Sequence, residues 1–446
     1  MVSWRANVRR RFGRVLPRIF ILPTYLLSMA YSLLIRNCGQ LLTLASAAAG
    51  PLTGPGLTSW HSLQDGYVAC ENDRIVAVGT MRELDEAQVT AATRVLDAGG
   101  RVVMPGLVEC HTHLVFGGNR AGEFQRKLQG ESYLDILAGG GGILSTVRAT
   151  RAASEAELLA NALHHLAGFR RYGVTTLEAK SGYGLDAETE LRLLRVAQEA
   201  GRRQPVRVVP TFLGAHVPGP EYQGRPADYL RMLVQDVLPR LNPQQVAFVD
   251  IFCEEGAFSV ADSRWYLEQA RALGFGLKIH AEQLHEAGGC EMAAQLGATS
   301  IDHADYLTPA AAARIARQSP GRTVAVLLPL VPLFLRQERY APGRAFIDGG
   351  LPVALSTDFN PGSCPSKNLW LAVSMACLKM GLTPREALAA VTINAAWAIG
   401  QQRACGSLEP GKRADILVLN VPTAEEIPYW LGENPVQQVI IGGQLA

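Results

Sequence analysis

Five residues able to bind a metal ion stand at the ends of apolar segments in this sequence. They are His111, His113, His280, His303 and Asp358. His111 and His113 are two positions apart, and because alternate residues of a strand point to the same side, both imidazoles can reach one ion. A lone histidine at a strand end is commonly a hydrogen-bonded core residue, and an aspartate there commonly caps the next helix. Five such residues at the ends of four strands instead indicate a metal site.

These residues belong to a regular series of strands and amphipathic helices. Counted from Val103, eight strands are predicted, the others at residues 174–179, 206–213, 246–253, 276–280, 299–303, 323–328 and 352–357. Helices lie between them, and Ser154-x-x-Glu157 is a capping box that begins one of these. Eight repeats with polar residues at the strand ends favour an α/β fold of the closed (β/α)8 barrel type over an open doubly wound sheet. Such barrels carry their chemistry at the carboxyl ends of the strands.

Both ends of the chain depart from this pattern. Short β-like runs separated by turns extend from residue 33 to about residue 100, and two more strands are predicted within residues 406–420 and 439–441. The late strands have no partners in a closed barrel, so we expect them to complete a small β domain built from both chain ends. The predicted divisions are residues 1–31, an N-terminal extension; 32–104, the first part of the β domain; 105–405, the barrel; and 406–446, the rest of the β domain.

The extension combines several arginines with an apolar stretch at residues 19–31. This resembles a signal sequence, but Pro17 and Pro23 interrupt it, and the apolar run is too short to span a bilayer. We therefore expect a dispensable segment and no membrane anchor. The net charge of +2 gives no basic field for nucleic acid, and eight scattered cysteines without a Cys-x-x-Cys pair indicate reduced thiols in a cytoplasmic protein.

The chain resembles the amidohydrolase superfamily from about residue 33 to its C-terminus. That resemblance rests on the five metal-binding residues and on the return segment 406–415. Within the superfamily it resembles the imidazolonepropionases. The narrower resemblance rests on four motifs, Phe116-x-x-x-Arg120-x-x-Glu123-Phe124, Lys180-Ser181-Gly182-Tyr183-Gly184, Gly214-Ala215-His216 and Asp358-Phe359-Asn360-Pro361-Gly362.

The resemblance implies one divalent metal ion, zinc or iron, held by His111, His113, His280 and Asp358. Two-metal relatives use a lysine on strand four, whereas that strand here ends Cys253-Glu254, which agrees with a single ion. The implied reaction is hydrolysis of the ring amide of 4-imidazolone-5-propanoate to N-formimidoyl-L-glutamate. Water on the metal would attack, with Asp358 as its base and His303 polarising the carbonyl.

A second group of residues fits an anionic, ring-shaped substrate. Arg120 offers a planar fork to a carboxylate. Gln283 stands where family members often have glutamate, and because an amide cannot exchange a proton, it can only orient water or ring nitrogens. The predicted substrate-binding residues are Arg120, Tyr183, His216, Gln283, Asn360, Gly362 and Ser363.

Two alternatives share the same metal-binding residues. One is another mononuclear amidohydrolase, such as an aminohydrolase of a purine or triazine ring, which would not need Arg120 or Tyr183 for a carboxylate tail. The other is a catalytically inactive relative that serves as a binding protein, although such relatives typically lose metal ligands. The sequence is silent on oligomeric state and leaves a homodimer open.

Overall fold

The structure is a computed structural model that describes residues 30–131 and 140–446. The predicted N-terminal extension therefore lies, except for its last two residues, outside the described part of the chain. Within these ranges no helix has both the length and the apolar composition that crossing a bilayer requires.

The first five strands belong to one mixed sheet. They are β1 (Leu33–Leu42), β2 (Ser62–Glu71), β3 (Arg74–Thr80), β4 (Arg94–Asp97) and β5 (Val102–Pro105). β1 pairs antiparallel with β2 and parallel with both β4 and β5. Apolar side chains such as Ile35, Val68 and Val103 form a core of their own under this sheet, separate from the main core of the molecule.

The next eight strands form a parallel barrel. They are β6 (Leu107–Glu109), β7 (Val174–Lys180), β8 (Arg207–Ala215), β9 (Phe248–Cys253), β10 (Gly276–Ala281), β11 (Ser300–His303), β12 (Val324–Leu327) and β13 (Val353–Leu355). Each pairs with its neighbours in chain order. The two end strands meet beyond their carboxyl ends, where Thr112 and Phe359 form a parallel bridge and the His113 amide donates to the Phe359 carbonyl at 2.8 Å. The predicted barrel is confirmed.

Three C-terminal strands return to the first sheet. β14 (Ile416–Leu419) pairs antiparallel with β5, β15 (Val436–Ile441) pairs with β14, and β16 (Gln444–Leu445) lies at the sheet edge. A small β domain made from both chain ends is thus confirmed.

The first barrel strand begins later than predicted. The apolar run counted from Val103 is divided at Gly106, since β5 pairs with β14 in the small sheet whereas β6 pairs with β7 in the barrel. A Cβ on Gly106 would lie 2.3 Å from the side chain of Thr175, so only glycine lets the chain pass from one sheet to the other here. The Gly106 amide also donates to the Asp415 carbonyl at 2.9 Å, which ties the two sheets together.

Helices cover the outside of the barrel. In the described residues they are Ala121–Leu128, Ile143–Ala152, Glu155–Arg171, Ala187–Arg203, Pro226–Met232, Val260–Ala272, Gly289–Gln295, Pro309–Gln318, Leu330–Leu335, Gly343–Asp348, Leu369–Met380, Pro384–Ala390, Ile393–Ala398 and Glu426–Tyr429. The capping box at Ser154 is formed as predicted, with the Ser154 amide donating to Glu157 at 2.8 Å.

Replacement of Gly106 by alanine should destabilise the protein. The added methyl group meets Thr175 in packed surroundings, and overpacking of this kind typically costs about 1–3 kcal/mol. Gly122 is the matched control, because it lies in a helix and no atom of residues 30–131 or 140–446 comes within 4 Å of its Cβ position. Alanine there should be neutral or stabilising. Urea unfolding midpoints measure both effects. Equal midpoints for Gly106→Ala and Gly122→Ala would contradict the packing argument.

Candidate active site

The carboxyl ends of the barrel strands surround a cavity of about 770 Å³. Eleven of the twelve predicted site residues line it: His113, Arg120, Tyr183, His216, His280, Gln283, His303, Asp358, Asn360, Gly362 and Ser363. The twelfth, His111, is fully buried behind them, with its ring centroid 4.5 Å from that of His280. The fold therefore brings the whole predicted set together.

Four of these side chains direct possible ligand atoms at one another, and three of those atoms are unpaired. Ring nitrogens of His111, His113 and His280 lie within 4.8 Å of each other. Asp358 Oδ1 is 3.4 Å from Nε2 of both His111 and His113. Nε2 of His111, Nε2 of His280 and Asp358 Oδ1 are buried without a hydrogen-bond partner among the described residues.

Buried donor atoms with converging lone pairs are what a bound cation requires. Three imidazoles and one carboxylate are typical ligands of zinc and also suit iron. The donor set of this site therefore fits the divalent metal that the resemblance implies.

Two carboxylates that were not predicted as site residues hold two of the histidines, His111 and His280, in place. The Nδ1–H of His111 donates to Asp302 Oδ2 at 2.7 Å, and the Nδ1–H of His280 donates to Asp250 Oδ1 at 3.1 Å. These bonds select the tautomer in which Nε2 of each ring is a lone-pair donor. Both aspartates are fully buried inside the barrel.

His303 lies at the end of β11, beside the donor cluster. Its ring centroid is 5.4 Å from that of His280 and 5.6 Å from that of His111. Burial lowers the pKa of His303 well below its usual value, so the imidazole is neutral and carries one N–H. His303 is thus placed to donate a hydrogen bond into the cavity.

Arg120 faces the same cavity from the start of the helix Ala121–Leu128. Its guanidinium lies against the backbone of Gly362, where a Cβ would be only 2.4 Å from the guanidinium carbon. Glycine at this position therefore makes room for the arginine. Arg120 Nε is 3.2 Å from Glu123 Oε2, and Glu123 in turn accepts from Ser145 Oγ at 2.7 Å and from the Gly142 amide at 3.2 Å.

Tyr183 and His216 form one wall of the cavity. The Tyr183 ring centroid is 5.5 Å from those of both His113 and His216. The Nδ1–H of His216 donates to the Gly182 carbonyl at 3.0 Å, and Gly182 has a φ of +110°, which only glycine adopts readily. Burial lowers the pKa of His216 well below its usual value. His216 is therefore neutral, and its Nε2 is an acceptor.

The turn after Asp358 is held together by the side chain of Asn360. Asn360 Oδ1 accepts from the amides of Gly362 and Ser363 at 2.7 and 2.8 Å, and its Nδ2 donates to the Asp358 carbonyl at 2.7 Å. Both the oxygen and the nitrogen of the Asn360 side-chain amide thus form hydrogen bonds within the turn. Ser363 Oγ donates to Asp358 Oδ2 at 3.2 Å, so the turn also orients the carboxylate.

Gln283 lies at the edge of the cavity on a loop that Glu254 holds. The amides of Gln283 and Leu284 donate to Glu254 Oε2 at 3.1 and 3.0 Å, and the Nδ1–H of His285 donates to Glu254 Oε1 at 3.1 Å. Glu254, at the end of strand four, therefore supports the loop and is directed away from the metal-binding atoms.

Several other residues that line the cavity were not predicted. They are Glu123, Phe124, Lys127, Phe252, Leu284, Phe334, Arg336 and Gln337, among others. Glu123 and Phe124 belong to the motif Phe116-x-x-x-Arg120-x-x-Glu123-Phe124, on which the family resemblance rests, so the sequence did mark them. Phe334 and Arg336 come from the segment after β12, which has no polar pattern to mark it.

Comparison with known proteins decides the family. The sequence model of the amidohydrolase family matches residues 102–446. An imidazolonepropionase from Bacillus velezensis is 46% identical over 412 residues, which are 92% of this chain and 96% of the relative. Another from Symbiobacterium thermophilum is 47% identical over 416 residues, which are 93% and 96% of the two chains. The chain belongs to the imidazolonepropionases of the amidohydrolase family.

This membership confirms the resemblance seen in the sequence, and with it the predicted hydrolase class and a divalent metal. Solved structures agree on the fold. A zinc-containing mutant of an atrazine chlorohydrolase from Arthrobacter aurescens superposes with a TM-score of 0.62, covering 93% of this chain and 94% of that one. A zinc-bound adenosine deaminase from Xanthomonas campestris gives 0.65, covering 94% and 93%. Both are 18% identical, so the likeness concerns the fold alone.

Purified protein should contain one equivalent of divalent metal per chain. The unpaired donor atoms converge at one place, and Glu254 is occupied by the 283–285 loop instead of facing a second ion. Elemental analysis, combined with activity after stepwise metal addition, measures the stoichiometry. Two equivalents, both needed for activity, would show that the single-metal interpretation is wrong.

Proposed function

We propose that this chain hydrolyses the ring amide of 4-imidazolone-5-propanoate to N-formimidoyl-L-glutamate, using one divalent metal ion, zinc or iron. One observation carries the proposal: Arg120 lines the same cavity as His113, His280 and Asp358, with the fourth donor group, His111, buried behind them. A cyclic amide with a short carboxylate tail has both features that this arrangement selects. Its reacting carbonyl can lie at the donor cluster while the tail reaches the arginine.

The tail carboxylate is held by Arg120. Its guanidinium is fixed by Gly362 beneath it and by Glu123 at Nε, which leaves its terminal N–H groups for a ligand. A planar fork of this kind binds a carboxylate through two charge-assisted hydrogen bonds. The neutral His216 accepts from a ring N–H of the substrate, and Tyr183 packs beside the ring.

His111, His113, His280 and Asp358 would hold the metal ion. When bound, such an ion polarises a carbonyl and brings the pKa of water close to neutrality. Imidazole and carboxylate ligands suit zinc and iron equally, so both remain in the proposal.

Asp358 and His303 divide the proton transfer and the charge stabilisation between them. Asp358 accepts a proton from the attacking water, with Ser363 holding its Oδ2 in a fixed orientation. The N–H of neutral His303 donates to the carbonyl oxygen as negative charge develops there. The carbon–nitrogen bond then breaks, the carbonyl carbon becomes a carboxylate carbon, and the proton on Asp358 passes to the leaving nitrogen.

Gln283 has a supporting part. Its amide cannot take up or release a proton, so it orients water or a ring nitrogen at the cavity edge. The bonds from Glu254 to the backbone of this loop keep it in place. We also propose a cytoplasmic location, because all eight cysteines are free thiols and seven are buried, as in proteins of reducing compartments.

Asp358→Asn should reduce turnover by orders of magnitude. Loss of a general base alone commonly costs about 10²–10⁴-fold, and this change also weakens a metal ligand. Gln283→Glu should be far milder, since it leaves the donor groups and the base intact. Turnover is measured together with metal content. An inactive Gln283→Glu protein that keeps its metal would show that the neutral amide is essential and that this mechanism is wrong.

Arg120→Met should reduce kcat/KM for the carboxylate-bearing substrate at least roughly tenfold. Each hydrogen bond to a charged group is worth about 1.5–3 kcal/mol, and the change removes two of them. Arg120→Lys keeps the charge but loses the planar fork, so its kcat/KM should lie between those of the wild type and Arg120→Met. The assay follows loss of the imidazolone chromophore.

An imidazolone without the carboxylate is the control substrate. Wild-type enzyme should already be poor on it, and Arg120→Met should have little further effect because the contact is absent. If Arg120→Met impairs both substrates equally, Arg120 is structural and the carboxylate assignment fails.

A further inference from the structure

A network of charged residues lies inside the barrel, beneath the metal-binding histidines. Its members are Glu178, Lys180, Asp250, Lys278 and Asp302, each at most 1% exposed. They come from four of the barrel strands, β7, β9, β10 and β11. Three carboxylates and two ammonium groups thus occupy space that barrels usually fill with branched apolar side chains.

Lys180 is the centre of this network. Its Nζ is 2.7 Å from Asp250 Oδ2, 3.0 Å from Glu178 Oε2 and 3.1 Å from Asp302 Oδ2. An ammonium group has three N–H donors, and each has a carboxylate within reach. Burial alone would lower the pKa of Lys180, but Asp250, Glu178 and Asp302 raise it well above the usual value. The side chain is therefore charged.

Two of the carboxylates that Lys180 holds are those that orient metal ligands. Asp302 accepts from His111, and Asp250 accepts from His280. The Lys180 ammonium group is thus linked to the His111 ring through Asp302 and to the His280 ring through Asp250. Asp250, His280 and Asp302 are also spaced as metal ligands could be. Lys180 Nζ lies against both of these carboxylates.

We propose that Lys180 is a positioning residue for the metal site: its ammonium holds Asp250 and Asp302 so that His111 and His280 present Nε2 to one ion. The inference rests on the proposed metal ligands. Lys278 is the natural comparison. It is equally buried, but its Nζ pairs with Glu178 Oε1 at 2.9 Å and with the Ala398 carbonyl at 3.1 Å, and no ion pair joins it to either aspartate.

The test compares Lys180→Met with Lys278→Met. Each protein is freed of metal, its thermal midpoint is recorded, and zinc is titrated against a competing chelator at a temperature well below that midpoint. Both variants should lose stability, because Lys180→Met leaves Asp250 and Asp302 without their lysine, and Lys278→Met takes from Glu178 one of its two lysines. Only Lys180→Met should lose zinc affinity, by about 10–100-fold, the range typical for residues that orient metal ligands.

A second variant covers the case in which Lys180→Met does not fold. Lys180→Met combined with Glu178→Gln removes one buried charge of each sign, and Glu178→Gln alone is its control. The pair variant should show the same loss of zinc affinity relative to that control. Unchanged affinity in the Lys180 variants, or an equal loss in Lys278→Met, would overturn the inference. Wild-type protein that binds neither zinc nor iron would instead overturn the metal site itself.

Discussion

The pairing of charges inside the barrel is the constraint on which the active site depends. A carboxylate moved from water to a protein interior is strongly destabilised unless a cation and hydrogen bonds compensate it. Here Asp250 and Asp302 are completely buried, and Lys180 contacts both. Removing one partner of such a group typically costs about 3–5 kcal/mol. Apolar side chains of similar volume are often at least as stabilising as buried ion pairs, but these carboxylates fix the direction of two imidazole rings.

Backbone strain at the strand ends is a second cost of the same site. Glu282, His303, Ala304 and Asp358 have φ values of +50°, +75°, +56° and +57°, in the left-handed region that non-glycine residues rarely adopt. Such residues persist only where their surroundings hold them. Glu282 is held because its carboxylate accepts the amides of Gly288, Gly289 and Cys290 at the next helix. The chain therefore turns sharply just where β10, β11 and β13 deliver their functional side chains.

Local patterns were sufficient to predict the barrel and the five candidate metal-binding residues at its mouth, whereas the substrate-binding residues were predicted from the family resemblance. Strand and helix periodicity is visible within a dozen residues, and histidines at strand ends converge in any closed barrel. Partners distant in sequence were harder to predict. The break at Gly106 depends on β14, which lies over 300 residues later, and the engagement of the Asn360 amide depends on the shape of its turn.

The charged network did leave a signal in the sequence. Charged and apolar residues alternate in Leu177-Glu178-Ala179-Lys180 and in Leu277-Lys278-Ile279-His280. Alternation in a barrel strand means that one set of side chains faces the interior, so these charges had to be buried there. What periodicity alone does not give is which lysine meets which carboxylate, because that depends on the stagger between neighbouring strands.

The closure of the barrel has a thermodynamic consequence. His111 and His113 follow the first strand and Asp358 follows the last, on either side of the bridge between Thr112 and Phe359. An ion bound by residues that follow the first and the last strand would also hold these two strands together. Binding and folding are then linked, and an ion at a thousand times its dissociation constant adds about 4 kcal/mol to the stability of the folded state. If the proposed ligands hold the ion, a chelator should therefore lower the stability of this enzyme as well as its activity.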